Sequence, residues 1–257
     1  MNFIDTHTHL YDDRLDEKRQ DEQIQRAFDA GVSKMYMPNC AQFTIAGMMR
    51  IAKDFPGKCM PMMGLHPTYV KADFQKEMDA VKQWLGKEKF TAVGEIGLDY
   101  YWDKTFIEQQ KICFETQIEW AIEYGLPIVI HSRESTADCI ASVRKKMSSS
   151  LRGVFHCFSG NLAEAEEIIE MGFLLGIGGV VTYKNAKDLQ EAVKKVPLTS
   201  LVLETDAPYL APMPFRGKKN ESSFIPFIAE KIAALRGMSV EELAEATTAN
   251  AQKLFPL

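Results

Sequence analysis

Hydrophobic and polar positions follow one repeated order along the chain: a short apolar run, a polar break and then an amphipathic stretch. Short apolar runs with such boundaries predict β-strands. The predicted strands span residues 3–4, 34–37, 59–65, 91–96, 127–130, 153–155, 173–177 and 201–203. Because most of these runs are apolar throughout rather than alternating, they fit a parallel sheet that is covered on both faces.

The amphipathic stretches between these runs predict helices. They span residues 20–30, 45–53, 75–85, 135–146, 163–170, 186–195, 224–235 and 240–254, together with a helix of about two dozen residues that ends at Tyr124. Ser239 is placed to cap the last of them. Glycine follows four of the helices, as a left-handed C-terminal cap prefers. These glycines are Gly31, Gly125, Gly172 and Gly237.

Eight strand–helix units in one chain predict an α/β fold, a TIM-type (β/α)8 barrel with an extra C-terminal helix. We expect residues 1–257 to form a single barrel domain, since no Pro/Ser-rich linker marks a boundary. An open doubly wound sheet is the alternative, but the early G-x-G-x-x-G turn of a dinucleotide fold is missing.

The composition and charge of the chain narrow the possible partners and the cellular compartment, but they do not indicate a function. The chain has 46% hydrophobic residues and a net charge of −5, so its overall charge does not attract nucleic acid or an anionic membrane. The five cysteines are widely spaced and form no C-x-x-C pair, which favours reduced thiols in the cytoplasm. Without an apparent signal peptide or a long apolar run, we expect a cytoplasmic protein that does not contact the membrane.

All five histidines follow predicted strands. His7 and His9 come after strand 1, and because residues i and i+2 of a strand share a face, they would present two imidazoles side by side. The other three follow strands 3, 5 and 6: they are His66, His131 and His156. Ordinary surface or hydrogen-bonded histidines would have no reason to choose these ends. The carboxyl ends of barrel strands meet at one rim, where active sites are found, so a metal site is predicted there.

Two carboxylates belong to the same rim, Glu95 after strand 4 and Asp206 after strand 8. Four histidines and two carboxylates exceed what one tetrahedral ion with an open position needs. They suit two divalent ions that share a ligand and activate water together. Imidazole favours zinc, manganese, iron or nickel, and magnesium fits if substrate phosphate supplies oxygens.

Eight motifs in this order resemble the TatD family of metal-dependent deoxyribonucleases, within the amidohydrolase-like barrel superfamily. They are D-T-H-T-H-L (5–10), G-L-H-P (64–67), G-E-I-G-L-D-Y (94–100), H-S-R (131–133), H-C-F-S-G (156–160), V-T-Y-K-N-A (181–186), E-T-D-A-P-Y-L (204–210) and R-G-K-x-N (216–220). Each motif is weak alone, but together they cover nearly the full length and are specific.

The resemblance implies a role for each matching residue. His7, His9 and Asp206 would hold one ion, His131 and His156 the second, and Glu95 would bridge the two. Asp206 would also act as the base that orients or deprotonates the attacking water. The chain departs from the family at Phe215, where histidine is frequent. Phenylalanine can neither ligate nor donate a proton, although it could stack on a base.

Further residues are candidates for contact with the substrate. We favour a phosphate contact or hydrogen-bonding role for His66 over metal ligation. Arg133 suits bidentate phosphate binding, with an ion pair as the alternative. Arg216 begins a basic loop after strand 8, where barrels often bind phosphate. Glu204 is expected to orient a ligating histidine. The run Tyr100-Tyr101-Trp102 could stack on an unpaired base or simply pack its own loop.

These observations predict a metal-dependent deoxyribonuclease that uses magnesium, manganese or zinc and acts in DNA catabolism or repair. Its partner would be DNA as substrate, at single-stranded ends or damaged sites, and no obligate protein partner is expected. The first alternative is a hydrolase of lactones, amides or phosphotriesters, because one scaffold serves many reactions. The second is a metal-containing barrel that binds nucleic acid or a protein without turnover, which the acidic composition disfavours.

Overall fold

The computed structural model describes residues 1–11 and 14–255. Strands and helices alternate along them. The strands are β1 (Phe3–Asp5), β2 (Val32–Pro38), β3 (Cys59–Met62), β4 (Val93–Asp99), β5 (Ile128–Arg133), β6 (Gly153–Phe155), β7 (Leu174–Ile177) and β8 (Leu201–Leu203). The helices are α1 (Glu17–Asp29), α2 (Ile45–Asp54), α3 (Phe74–Lys87), α4 (Ile107–Tyr124), α5 (Thr136–Lys145), α6 (Leu162–Glu170), α7 (Lys187–Lys195), α8 (Ile225–Arg236) and α9 (Val240–Leu254).

The strands pair in parallel and in chain order, as β1–β2–β3 and β4–β5–β6–β7–β8. Backbone hydrogen bonds join these two sheets at both edges. The Met63 amide donates to the Ala92 carbonyl (3.1 Å) between β3 and β4, and the Thr6 amide donates to the Leu203 carbonyl (3.0 Å) between β1 and β8. The eight strands therefore run around a (β/α)8 barrel, as the sequence pattern predicts.

Successive residues of the strands alternate between two hydrophobic clusters. In β5, Ile128 and Ile130 pack outward in the larger cluster with the helices, whereas Val129 belongs to the smaller cluster. The smaller cluster fills the barrel interior with one or two residues from each of several strands; its buried members are Ile4, Tyr36, Met62, Ala92, Val129, Val154, Val202, Ala251, Leu254 and Phe255. The strands look apolar throughout because both of their faces are buried.

Helix α9 closes the amino-terminal end of the barrel. Its Thr248 hydroxyl donates to the Asn2 carbonyl (2.9 Å), just before β1. Leu254 and the following Phe255 enter the interior cluster, and the Phe255 ring stacks on Tyr36 at 4.4 Å between centroids. The predicted extra helix therefore packs against the end of the barrel that lies opposite the histidines.

The predicted elements are all present, with shifted ends. The predicted strands 4 and 5 were too short, since β4 continues to Asp99 and β5 to Arg133. Consequently Glu95 and His131 lie inside strands rather than after them. Helix α4 has 18 residues, fewer than predicted. The four predicted glycine caps all have positive φ, between 65° and 88°, and the Ser239 hydroxyl accepts from the Glu242 amide (3.2 Å) as predicted. Among the described residues, no helix is both long and apolar enough to cross a membrane.

Candidate metal centre

The carboxyl-terminal side of the barrel brings the predicted histidines and carboxylates together. The alternation of the strands accounts for three of these side chains. His131 lies two residues beyond Val129, and His156 lies two residues beyond Val154; both valines point into the barrel. Glu204 follows Val202 in the same way. These side chains therefore continue the inward-facing rows above the apolar interior.

The two histidines after β1 are held by hydrogen bonds to the segment after β8. The Asp206 amide donates to the His7 carbonyl (2.9 Å), and the His9 amide donates to the Ala207 carbonyl (2.7 Å). Asp206 has a positive φ of 57°, which is uncommon outside glycine. This backbone pairing places the Asp206 carboxylate beside both imidazoles.

Asp5, at the end of β1, forms hydrogen bonds with the segments after β1 and after β8. Its carboxylate accepts hydrogen bonds from the His7 amide (3.2 Å), the Thr205 amide (3.0 Å) and the Thr205 hydroxyl (2.6 Å). The side chain is fully buried, and burial raises its pKa to about 7 although these hydrogen bonds lower it. Asp5 is thus a structural part of the site that sequence analysis missed.

Glu95 enters the barrel through an irregularity in β4. Val93 pairs with Ile128 and Ile96 pairs with Ile130, so three steps along β4 match two steps along β5. An extra residue of this kind reverses which side chains face inward. Without it, Glu95 would share the outward face of Val93 and could not meet the histidines.

The two carboxylate oxygens of Glu95 face different groups of histidines. Oε2 lies 3.1 Å from His7 Nε2 and 3.6 Å from His9 Nε2. Oε1 lies 2.8 Å from His156 Nε2, 2.9 Å from His131 Nδ1 and 3.2 Å from His66 Nε2. The carboxylate therefore lies between two sets of nitrogen donors, with one oxygen directed at each.

Asp206 completes the first of these groups. Its Oδ1 lies 3.5 Å from His9 Nε2 and 3.8 Å from His7 Nε2. We call His7, His9, Asp206 and Glu95 Oε2 the first donor group. His131, His156, His66 and Glu95 Oε1 form the second donor group, in which His66 Nε2 also lies 3.3 Å from His131 Nδ1.

Outer carboxylates lie beside the imidazoles of the second donor group. Asp99 Oδ2 lies 2.9 Å from His131 Nε2, so the opposite nitrogen, Nδ1, faces Glu95. Glu204 Oε1 accepts from the Cys157 amide (2.5 Å) and lies 3.6 Å from His156 Nδ1. Glu204 therefore lies beside the outer nitrogen of His156, at a distance longer than a hydrogen bond. Asp99 was not recognised, although its position in G-L-D-Y was an available signal.

Glu204 fits because residue 176 has no side chain. A Cβ on Gly176 would lie 2.1 Å from Glu204 Oε2 and 2.7 Å from Glu204 Cδ. Real Cβ atoms do not approach so closely, so any larger residue would displace the carboxylate. The missing side chain at Gly176 thus makes room for the Glu204 carboxylate.

The charges of the site favour a bound cation. Burial by itself raises the pKa of Glu95, but the neighbouring imidazoles, His156 above all, outweigh it and hold this pKa well below its usual value. Burial lowers the pKa of His7 and of His66, which keeps those imidazoles neutral, the form that ligates metals. For His156, burial is outweighed by Glu95 and Glu204, and the pKa is well above its usual value. The carboxylates that attract this proton would equally attract a metal ion.

The residues present fit divalent metals. Among the described residues, three sets have donor atoms that lie within 4.8 Å of one another and could hold an ion: His7 with His9 and Glu95, His7 with His156 and Asp206, and His66 with Glu95 and His131. In the same part of the chain, three buried polar atoms lack a hydrogen-bond partner, namely His7 Nδ1, His156 Nδ1 and Glu204 Oε2. Buried polar atoms are normally paired, and such exceptions are frequent where an ion or a water completes the site.

The two arginines predicted to contact phosphate lie farther out and do not join the cluster, whereas His66 does. The exposed Arg133 guanidinium lies 3.9 Å from the Tyr101 ring centroid, and the Arg216 guanidinium lies 4.3 Å from that of Tyr183. Within the described part of the chain each guanidinium stacks on an aromatic ring and is in no ion pair, so the ion-pair alternative for Arg133 gains no support. Phe215 stacks on Phe224 at 4.2 Å, which covers one face of its ring.

Comparison with known proteins relates the whole chain to one family. Residues 4–256 match the sequence profile of the family described as TatD related DNase. A protein of Bacillus subtilis (strain 168), named uncharacterized metal-dependent hydrolase YabD, is 39% identical over 98% of both chains. The 3'-5' ssDNA/RNA exonuclease TatD of Pantoea vagans (strain C9-1) is 34% identical over 91% of this chain and 92% of its own.

A solved structure agrees with the sequence relatives. The crystal structure of YjjV, a TatD homologue from Escherichia coli K12, superposes with a TM-score of 0.93. It is 31% identical to this chain, and the match covers 99% of this chain and 98% of that one. The similarity therefore extends over the barrel and over every strand that contributes to the site.

Proposed function

This chain belongs to the family of TatD-related DNases and is a metal-dependent hydrolase, and we propose that it cleaves phosphodiester bonds in single-stranded DNA. The observation that carries the proposal is the position of Glu95, with one oxygen directed at each donor group. A carboxylate so placed suits a bridge between two divalent ions, magnesium, manganese or zinc. Two-ion sites are typical of enzymes that hydrolyse phosphate esters.

In this proposal His7, His9, Asp206 and Glu95 hold one ion, while His131, His156 and Glu95 hold the other. When bound, such ions supply Lewis-acid charge and make water a stronger nucleophile. The outer carboxylate of Asp99 holds the His131 imidazole in its ligating orientation, and that of Glu204 lies beside the outer nitrogen of His156.

Asp206 is the proposed base. Burial raises its pKa, but hydrogen bonding to His9 and the charges of His156 and His7 outweigh burial, so the pKa is below its usual value. The carboxylate is therefore ionised at neutral pH and can accept a proton from the attacking water. Its side chain is 13% exposed, which leaves it accessible from the mouth of the barrel.

The surroundings of the donor groups support the proposed substrate class. Arg133 and Arg216 carry positive charges that no carboxylate neutralises within the described residues, and guanidinium groups suit phosphate. We keep His66 as a proposed contact to the substrate phosphate, because the second ion already has three protein ligands without it. The name of the Pantoea vagans relative, an ssDNA/RNA exonuclease, supports a single-stranded substrate.

The test uses metal-stripped protein and an end-labelled single-stranded DNA oligonucleotide. Magnesium, manganese and zinc are added back separately, and the products are resolved on a gel. We expect metal-dependent shortening that disappears in His7→Ala/His9→Ala, while Lys253→Ala, on the exposed face of α9, behaves as the unchanged protein. If no metal supports cleavage although the protein binds ions, the proposal is wrong, and lactones and amides become the substrates to test.

Asp206→Asn tests the proposed base. The amide keeps the shape of the side chain but cannot take up the proton, so we expect kcat to fall by about 100-fold or more, as for loss of a general base. Circular dichroism and thermal unfolding should show that the fold is retained. Activity close to that of the unchanged protein would exclude Asp206 as the base.

A further inference from the structure

Exposed aromatic side chains follow three consecutive strands on one side of the rim. Phe43, Tyr101 and Trp102 are 63%, 49% and 68% exposed, and Tyr69 is also exposed. They lie in the loops after β2, β3 and β4, and we call these four residues the aromatic arc. Large apolar groups that remain exposed at one place on a folded protein commonly mark a binding surface.

One carboxylate connects the aromatic arc to the second donor group. Asp99 Oδ1 accepts hydrogen bonds from the backbone amides of Tyr101 and Trp102, both at 2.9 Å. Its other oxygen, Oδ2, holds His131 Nε2 at 2.9 Å. The hydrogen bonds keep the pKa of Asp99 at about 2 despite the opposing effect of burial. The loop with two of the aromatic residues is therefore fixed at the edge of the candidate metal centre.

Arg133 adds a positive charge to the same place. Its guanidinium lies 3.9 Å from the Tyr101 ring centroid and 5.4 Å from that of Trp102. The neighbouring acid, Glu134, lies 3.9 Å from Lys104 instead. A cation stacked on an aromatic ring and free of a carboxylate suits a ligand that has both a flat ring and a negative charge, as a nucleotide does.

The other half of the aromatic arc lies beside His66. The Phe43 and Tyr69 rings meet edge to face at 5.3 Å, and the Tyr69 ring lies 6.1 Å from the His66 ring. Lys71, just after Tyr69, forms a salt bridge of 2.7 Å with Asp103, just after Trp102. This contact joins the loop that carries Tyr69 to the loop that carries Trp102, so the two halves of the aromatic arc lie on neighbouring loops.

We propose that the aromatic arc binds the unpaired bases of the nucleotides next to the scissile phosphate, an inference that rests on the proposed nuclease function. Every base has a flat face that can stack on an aromatic ring, so such binding tolerates any sequence. In a duplex those faces are already covered by neighbouring base pairs. The aromatic arc therefore selects single strands over duplexes, with Trp102, Tyr101 and Arg133 as the main contact for one base.

The first test compares substrates with and without bases. Hydrolysis of an oligodeoxyadenylate and of an oligomer with the same backbone but abasic residues is measured for the unchanged protein, Trp102→Ala and Phe43→Ala. We expect each substitution to lower kcat/KM for the oligodeoxyadenylate by about tenfold, the usual effect of losing one base–aromatic stack. The abasic oligomer should be cleaved slowly, and at the same rate by the unchanged protein and both variants. Removing the base and removing the aromatic ring abolish the same stacking contact, so their effects should not add.

Two variants control this comparison. Trp102→Phe keeps an aromatic ring and should retain most of the activity. Ile112→Ala removes a residue that is 55% exposed on α4, outside the aromatic arc, and should change nothing. Manganese binding, measured by isothermal titration calorimetry, should be equal in every variant and shows that the metal centre is intact.

The second test detects binding without relying on turnover. The metal-loaded protein is mixed with oligodeoxyadenylate in a stopped-flow instrument, and the tryptophan emission is recorded before cleavage proceeds. A base stacked on Trp102 should quench the emission, whereas the abasic oligomer should not, and Trp102→Phe should lose the quenching but keep the affinity.

These readouts separate the two proposals. Base-dependent quenching without any cleavage would contradict the nuclease function and support the aromatic arc as a base-binding surface. Cleavage with equal rates for oligodeoxyadenylate in the unchanged protein and in both alanine variants would overturn the aromatic arc and leave the nuclease function standing. Quenching that is equal for the abasic oligomer would also overturn it.

Discussion

At the scale of single residues, the second donor group depends on small details around its ligands. Glu204 can reach His156 and the Cys157 amide only because Gly176 presents no side chain to it. Asp99 in turn sets which nitrogen of His131 faces Glu95. Residues outside the donor groups thus influence how the imidazoles are directed at a metal ion. Loss of such an outer partner commonly changes metal affinity by about 10- to 100-fold.

Gly176→Ala tests this dependence. The added Cβ would lie 2.1 Å from Glu204 Oε2, so we expect a loss of about 1–3 kcal/mol in the free energy of unfolding and at least about tenfold weaker binding of one metal ion. Urea unfolding and calorimetric titration with manganese measure the two effects.

Gly178→Ala, two residues farther along the chain and just after β7, is the matched control. A Cβ there meets its nearest atom, the Glu204 carbonyl oxygen, at 3.7 Å, which is an ordinary contact. Its φ of −108° is also accessible to alanine. Unaltered metal affinity in Gly176→Ala would mean that Glu204 does not support the site.

At the scale of elements, α9 and the rim serve opposite ends of the barrel. Ala251, Leu254 and the adjoining Phe255 lie in the interior cluster with Tyr36, whereas the donor groups occupy the carboxyl ends of the strands. Burial of Phe255 stabilises the barrel without contact to the metal centre. Stability and chemistry are therefore separated along the barrel axis, as is usual for this architecture.

Phe255→Ala should separate these two properties. Removing a fully buried aromatic ring costs about 3–5 kcal/mol of the free energy of unfolding, so the midpoint of thermal unfolding should fall markedly. Metal affinity should stay unchanged at temperatures where the variant is folded. Lys253→Ala, an exposed change on the same helix, should lie within about 0.5 kcal/mol of the unchanged protein. A large loss of metal affinity in folded Phe255→Ala would show that the two ends are coupled.

At the scale of the whole molecule, the proposed metal ligands come from both sheets. His7 and His9 follow β1, Glu95 is in β4, His131 is in β5, and His156 follows β6. Ions held by these ligands would link strands that are distant in sequence. They would join the two sheets, which backbone hydrogen bonds also connect. Such ions bind the folded chain and not the unfolded one, and so they stabilise it.

Metal removal should therefore destabilise the protein. At a free ion concentration of about 100 times the dissociation constant, the stabilisation is about 2.7 kcal/mol, which corresponds to several degrees in the midpoint of thermal unfolding. Differential scanning calorimetry before and after chelation, and after manganese is restored, measures the shift. His131→Ala/His156→Ala should show a smaller shift, and equal midpoints in all states would contradict metal binding by these strands.

The sequence by itself determined the order of elements and the chemistry of the rim. The apolar runs, polar breaks and amphipathic stretches are local patterns. Each one predicts a strand or a helix from neighbouring residues alone. The glycines after four helices were equally readable, since a left-handed cap depends on one residue. The carboxyl ends of parallel strands converge in a barrel. The positions of the histidines at or near the ends of predicted strands were therefore enough to predict that they would meet.

The tertiary structure alone decided how those residues face one another. The extra residue in β4 that turns Glu95 inward appears only in its pairing with β5. Asp5 and Asp99 gain their roles from Thr205 and His131, which are distant in sequence. Two loops of the aromatic arc likewise meet through the contact of Lys71 with Asp103. Register and long-range contacts arise from the packing of all the strands together, so no local pattern contains them.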